Sequence, residues 1–464
     1  MQFEISKNSV CLRRLLTCVV ACCMYFVAAG LLAEDWPQFL GPTADSKSAE
    51  KGLIAPWPDT GPEIVWARPL IESYGIGSVS AGKYYQFDFN GRQAILHCLD
   101  ATTGKEVWTF SYPSSYRDLY GYNSGPRTSP VIDGDRVYIY GVEGMLHCVN
   151  AQDGSKVWSV DVNKQFNVVQ NFFGVGSTPA VFEDALIVMV GGSPVEDLEL
   201  PPGRLDRVSG NGSGVVAFDK LTGKVKYQLS NELASYSSPR IVRKDDQPVC
   251  FVFARGGLLG FDPRDGKNEF FYPWRAQTLE SVNASNPVVV GNEVFISETY
   301  GPGSSLLSFA SDNDFQVVWE DDERKRFKSM QTHWNTAVYH EGYLYGSSGR
   351  HEYNAELRCI DWKTGEVKWT QPGLTRSSLM YVDGHFVCLS EDGTLRLLRA
   401  NPEKYDLVST IVYRTADLTK GGGEGREFTP RLLKSPAWAA PILANGLMYV
   451  RGKDAVVCVR LLAD

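Results

Sequence analysis

The sequence predicts an all-β fold: an eight-bladed β-propeller of four-stranded antiparallel blades, closed by pairing of its N-terminal and C-terminal strands. Three observations carry this. A motif recurs about every fifty residues, each copy reads as two short strands around a tight turn, and the chain body starts with a strand lacking a blade and ends with a blade lacking a strand.

Residues 1–33 place Lys7, Arg13 and Arg14 ahead of the uncharged run LLTCVVACCMYFVAAGLLA. That order is a signal peptide ending at Ala33, which predicts an exported protein of the periplasm or cell envelope. Two other readings of the run stay open. It is long enough for an uncleaved anchor, and VVAC at 19–22 has the form of a lipoprotein cleavage box. Membrane contact is expected only under those two.

Residues 34–61 read as an irregular leader, because Pro37, Gly41 and Pro42 break any regular backbone across DWPQFLGP. Trp36 and Phe39 are expected to pack on the outside of the propeller and pin the leader there. Losing 34–60 should then cost much less than losing 34–70.

Residues 62–464 form the propeller domain. PEIVWARPL, at its start, is a fourth strand without a blade. CLDATTGKEVWTF (98–110), CVNAQDGSKVWSV (148–160) and CIDWKTGEVKWTQ (359–371) then share a strand end, an Asp or Asn, a Gly four residues on and a Trp four later. Gly supplies the positive φ of a tight turn and the Asx side chain caps it. Weaker copies start at 217, 260, 308 and 398, and AVVCVRLLAD ends the chain as a third strand without a fourth. Third strands near 98, 148, 217, 260, 308, 359, 398 and 458 make eight blades. Joining the ends removes the exposed edges of an open row.

Trp66, Trp108, Trp158, Tyr227, Phe270, Trp319 and Trp369 fall at one repeated position. A belt of aromatic residues at the blade edges predicts wedges between neighbouring sheets, each buried on its face with any indole N–H on a carbonyl. Cys98, Cys148, Cys359 and Cys458 also repeat, which predicts buried free thiols, since equivalent positions in separate sheets stand too far apart to bridge. The net charge of −8 and scattered basic residues exclude a nucleic-acid surface.

LDATTGKEVW and IDWKTGEVKW resemble the repeat of pyrroloquinoline quinone (PQQ) propellers, a family that includes quinoprotein alcohol dehydrogenases and the outer-membrane assembly lipoprotein BamB. The resemblance runs from Pro62 to Asp464. The leader is similar to the W-P-Q-W-R-G-P opening of exported PQQ-like propellers of planctomycetes. The quinoprotein branch implies a vicinal Cys-Cys disulfide, a Trp beneath the cofactor, a calcium held by Glu, Asn and Asp, and an Asp base. Outside residues 1–33 this chain has no adjacent cysteines, and it has no C-x-x-C-H haem site. The resemblance therefore implies a BamB-like binding or scaffold module with no catalytic residues, metal or firm cofactor. PQQ and Ca²⁺ enter only under the alternative of a quinoprotein alcohol or sugar dehydrogenase.

Loops leading into the innermost strands converge on one mouth of a propeller channel, together with the loops joining second and third strands. The former place Arg127, Tyr236, Asn283, His333, Trp334, Arg376 and Trp438 there. Two arginines in an acidic protein suit a small anionic ligand, or an envelope protein as partner. They equally suit bonds to loop carbonyls and neighbouring blades. His333 reads as a loop anchor, and Glu280 with Asn283 is a weak calcium pair. Insertions at 191–213 and 415–435 should decorate the same face.

Overall fold

The computed structural model describes residues 34–463, apart from 245–246, 268–269, 310–314 and 420–424. The expected signal peptide, 1–33, lies outside the described residues. Those described form eight antiparallel sheets around one axis. Blade 1 shows the pattern, with Ser78–Ser80 innermost, then Lys83–Phe89, Gln93–Asp100 and Glu106–Pro113 outermost. Blades 2 to 7 begin with the inner strands Val131–Asp133, Ala180–Phe182, Arg240–Lys244, Val288–Val290, Val338–His340 and Ser377–Val382.

Blade 8 is composite, as the orphan strands require. Ile442–Ala444, Leu447–Arg451 and Ala455–Arg460 come from the C-terminus, and Ile64–Pro69 from the N-terminal side supplies the outermost strand. Trp66 lies opposite Cys458, and Pro69 opposite Ala455. At this seam Tyr84 of blade 1 stacks on Tyr449 of blade 8 with ring centres 4.9 Å apart. The buried Arg451 donates to the Ser73 and Gly75 carbonyls and to the Ser73 hydroxyl. Closure thus combines a strand ladder, an aromatic stack and a fully bonded cation.

The repeated turns join the blades circumferentially. Asp100 accepts the amides of Thr102 and Thr103, and Gly104 takes φ +66°. The ring of Trp66 lies on that glycine, where a Cβ would come within 2.7 Å, and its Nε1 donates to Ala101 O at 2.9 Å. Trp108 and Trp158 repeat this on Gly154 and Gly223, donating to Ala151 O and Lys220 O. Tyr227 lies on Gly266 and donates to Pro263 O, Trp319 lies on Gly365 and donates to Trp362 O, and Trp369 donates to Asn401 O. Phe270 has no donor; its ring lies against Gly260 of its own blade and 5.5 Å from Phe315 of the next. Six cysteines among the described residues are buried and free.

The leader departs from the expectation that it packs outside. It crosses the propeller axis at the end bearing the hairpins between first and second strands. Trp36 exchanges backbone bonds of 2.9 and 2.8 Å with Val79 of blade 1, and Ile132 of blade 2 donates to Pro37 O. On the far side Arg240 of blade 4 donates to Thr43 O, and Lys47–Ser48 runs parallel to the inner strand of blade 7. Trp36 is 1% exposed. The physical reason is that Trp36 finds its apolar surface beside Ile76 and Val79 at the end of the closed ring, while Gly41, at φ +88°, folds the turn back so that its Cα lies against the Trp36 ring, where a Cβ would come within 2.9 Å. The leader is therefore a floor to the channel, and Leu40 and Trp57 are also buried.

Candidate functional site

Above this floor lies an axial cavity of about 420 Å³, within the usual size of small-molecule pockets. Phe39, Leu40 and Ser46 of the leader form its base. Its walls come from loops that lead into the innermost strands, which the geometry of closure turns toward the axis, and from two loops that join second and third strands.

Six of the seven residues expected at the mouth line this cavity: Arg127, Tyr236, His333, Trp334, Arg376 and Trp438. Asn283 does not. It is wholly buried, and its Nδ2 donates to the carbonyls of Ala254, Arg255 and Trp274, so it braces the loop from behind. Glu280 stays exposed and shares no site with it.

The two expected arginines are already neutralised. Arg127 Nη2 meets the buried Asp118 carboxylate at 2.8 Å, and the same guanidinium donates to Gly125 O and Asn123 O. Arg376 forks onto Glu391, with Nε to Oε2 at 2.6 Å, while its plane lies 4.2 Å from the Trp334 ring centre. Both are held as loop struts that keep one face on the cavity.

Aromatic rings form a continuous wall. Tyr74 sits 4.7 Å from Trp438, Trp438 4.4 Å from Trp334, Trp334 4.2 Å from His333, and His333 5.6 Å from Tyr300. His333 Nε2 shares a hydrogen bond with the Tyr300 hydroxyl at 3.2 Å. Burial, then the charges of Arg376 and Arg350, push its imidazole down to about 3, so it is neutral at ordinary pH. Its Nδ1 and the Trp438 Nε1 are buried without a protein partner among the described residues. Tyr236 accepts the Phe173 amide on its hydroxyl.

Tyr74, Tyr300, Arg350 and Phe39 line the cavity but escaped the reading of loops that lead into inner strands. Tyr300 and Arg350 belong to second-to-third-strand loops, SETYGPG and SSGRHEYNAE, which reach the same mouth and carried the missing signal. Behind Tyr300, burial pushes the Glu298 carboxyl up to about 7, although it accepts the Ser281 hydroxyl and the amides of Tyr300 and Gly301.

No Asp, Glu, Lys or Cys side chain among the described residues lines the cavity. No cluster of three or more metal-ligating side chains occurs among them either. Calcium requires oxygen donors, several of them carboxylates. The residues present therefore do not fit a PQQ–calcium centre. The arrangement offers ring faces, guanidinium edges and two imidazoles, His333 half-buried on the wall and His351 exposed beside Arg350 at the mouth.

No curated protein sequence matches the chain significantly. Among solved structures, quinohemoprotein alcohol dehydrogenase from Comamonas testosteroni is 13% identical with a TM-score of 0.50, over 96% of this chain and 84% of that one. BamB from Moraxella catarrhalis is 12% identical with a TM-score of 0.49, over 88% of this chain and 96% of its own. At 13% identity the likeness to the dehydrogenase is one of fold alone. Residues 91–371, more than half of the chain, match the family model described as outer membrane protein assembly factor BamB, and the chain belongs to that family.

Proposed function

We propose that this protein is an exported, non-catalytic BamB-like propeller that binds a small ligand in its axial cavity. The observation that carries this is the cavity wall, rich in aromatic faces and donors and free of carboxylates among the described residues. A wall of that kind positions a ligand without moving protons. The family's description, as an outer-membrane assembly factor, and the charged and apolar order of residues 1–33 support a place in the periplasm or cell envelope. Trp36, Pro37, Gln38, Gly41 and Pro42 support the likeness to exported planctomycete propellers.

A second reading, an envelope protein docking on the mouth face, is favoured by Phe327, Tyr353 and Phe428, each at least 83% exposed on loops of that face. The dehydrogenase alternative is tested directly. Purified protein given PQQ and Ca²⁺ should neither bind the quinone stoichiometrically nor reduce a dye with alcohols or sugars. Stoichiometric binding with substrate-dependent dye reduction would overturn the non-catalytic reading.

A further inference from the structure

The cavity wall carries three guanidinium groups, and their partners differ. Asp118 neutralises Arg127, and Glu391 neutralises Arg376. Arg350 pairs with no carboxylate among the described residues; its guanidinium lies 4.4 Å over the Tyr300 ring and faces solvent at the mouth. His333, between them, stays neutral. One uncompensated positive charge therefore stands at one end of an aromatic wall, in a cavity that the leader closes beneath.

A charge resting on a ring face keeps its planar N–H edges free, and those edges match a carboxylate better than any neutral group. The wall from Tyr74 through Trp438 to Trp334 offers flat apolar surface to a second ring. The cavity of about 420 Å³ holds a molecule of one or two rings with water beside it. A single free guanidinium balances one negative charge and leaves a polyanion undercompensated.

We propose that the cavity selects a ring-bearing monoanion, a uronic acid or an aromatic carboxylate, with the ring on the Trp334–Trp438 wall and the carboxylate on Arg350. This rests on the binding reading above. The test uses the purified protein and two pairs matched in shape but not in charge: glucuronate with glucose, and phenylacetate with phenylacetamide. Titration calorimetry should show one carboxylate binding 1:1 and about tenfold tighter than its neutral partner, as one charge-assisted contact allows. The pair that discriminates names the ligand class.

In Arg350→Gln the preference should disappear while the neutral partner binds as before. Arg350 makes no side-chain hydrogen bond or ion pair among the described residues, so this variant should fold. Equal affinity within both pairs, discrimination that survives Arg350→Gln, or no heat from any of the four would overturn the monoanion assignment. Equal affinity within both pairs leaves the binding reading standing, whereas dye reduction with PQQ and Ca²⁺ overturns that reading itself, so these two failures are distinct.

Discussion

Trp158 shows what one side chain does in this architecture. It is 9% exposed, lies on Gly223 of the next blade and donates to Lys220 O at 3.1 Å. Trp158→Ala removes a buried ring and a bond between blades at once. A loss of about 3–5 kcal/mol is expected in chemical unfolding. An unchanged midpoint would mean that the ring does not couple the blades. Glu298 acts in the opposite sense. Its folded carboxyl titrates near 7 against an ordinary 4.5, because burial outweighs its three donors. Between those values the folded state holds a proton that the unfolded state has released, so stability falls as pH rises through this window. Glu298→Gln cannot ionise. Its melting temperature relative to the parent should therefore rise from pH 5 to pH 8, by the equivalent of about 1–3 kcal/mol. A constant difference across that range would contradict the assignment.

At the scale of the element, the turn between third and fourth strands is the joint of the ring. The Asx side chain organises the loop and the glycine makes room for the neighbouring ring. In blade 2, Gly154 sits at φ +72°, and an added Cβ would come within 2.5 Å of Trp108. Gly154→Ala strains the backbone and displaces the indole together. A loss of about 1–3 kcal/mol follows, measurable as a lower unfolding midpoint. Gly134, at φ +58° in the hairpin of the same blade, meets nothing within 4 Å of a built Cβ. Gly134→Ala adds no clash and isolates the backbone component, so it should cost less than Gly154→Ala. Reversed costs would show that Trp108 does not use the turn as its seat.

For the whole molecule, the ring and its floor depend on opposite ends of the leader region. Deleting 34–70 removes Ile64–Pro69 and exposes the edge of Ala455–Arg460. Such an edge invites pairing with another chain, so aggregation or protease sensitivity should follow. Deleting only 34–60 was expected from sequence to be mild, but it removes buried Trp36, Leu40 and Trp57 and the base of the cavity. It should lower the melting temperature by several degrees without causing aggregation, since the composite blade remains. A 34–60 deletion that melts like the parent would show that the floor contributes nothing to the fold.

The repeat, the turn chemistry and the unmatched terminal strands were all local signals. They determined the blade number, the closing strand and the belt of aromatic residues, because each depends on residues spaced by a fixed pattern along the chain. The loops that lead into inner strands likewise named Arg127, His333, Trp334, Arg376 and Trp438, since topology alone carries those loops to the axis. What the sequence could not assign was the partner of each charge. Glu391 reaches Arg376 across a hairpin and Asp118 reaches Arg127 across a loop, so which arginine stays free is settled only when the loops are packed. The leader had no periodic pattern to read. Its course is decided by where a Trp, a Phe and a Leu find apolar surface, and only the closed ring creates that surface, at the end of its own channel.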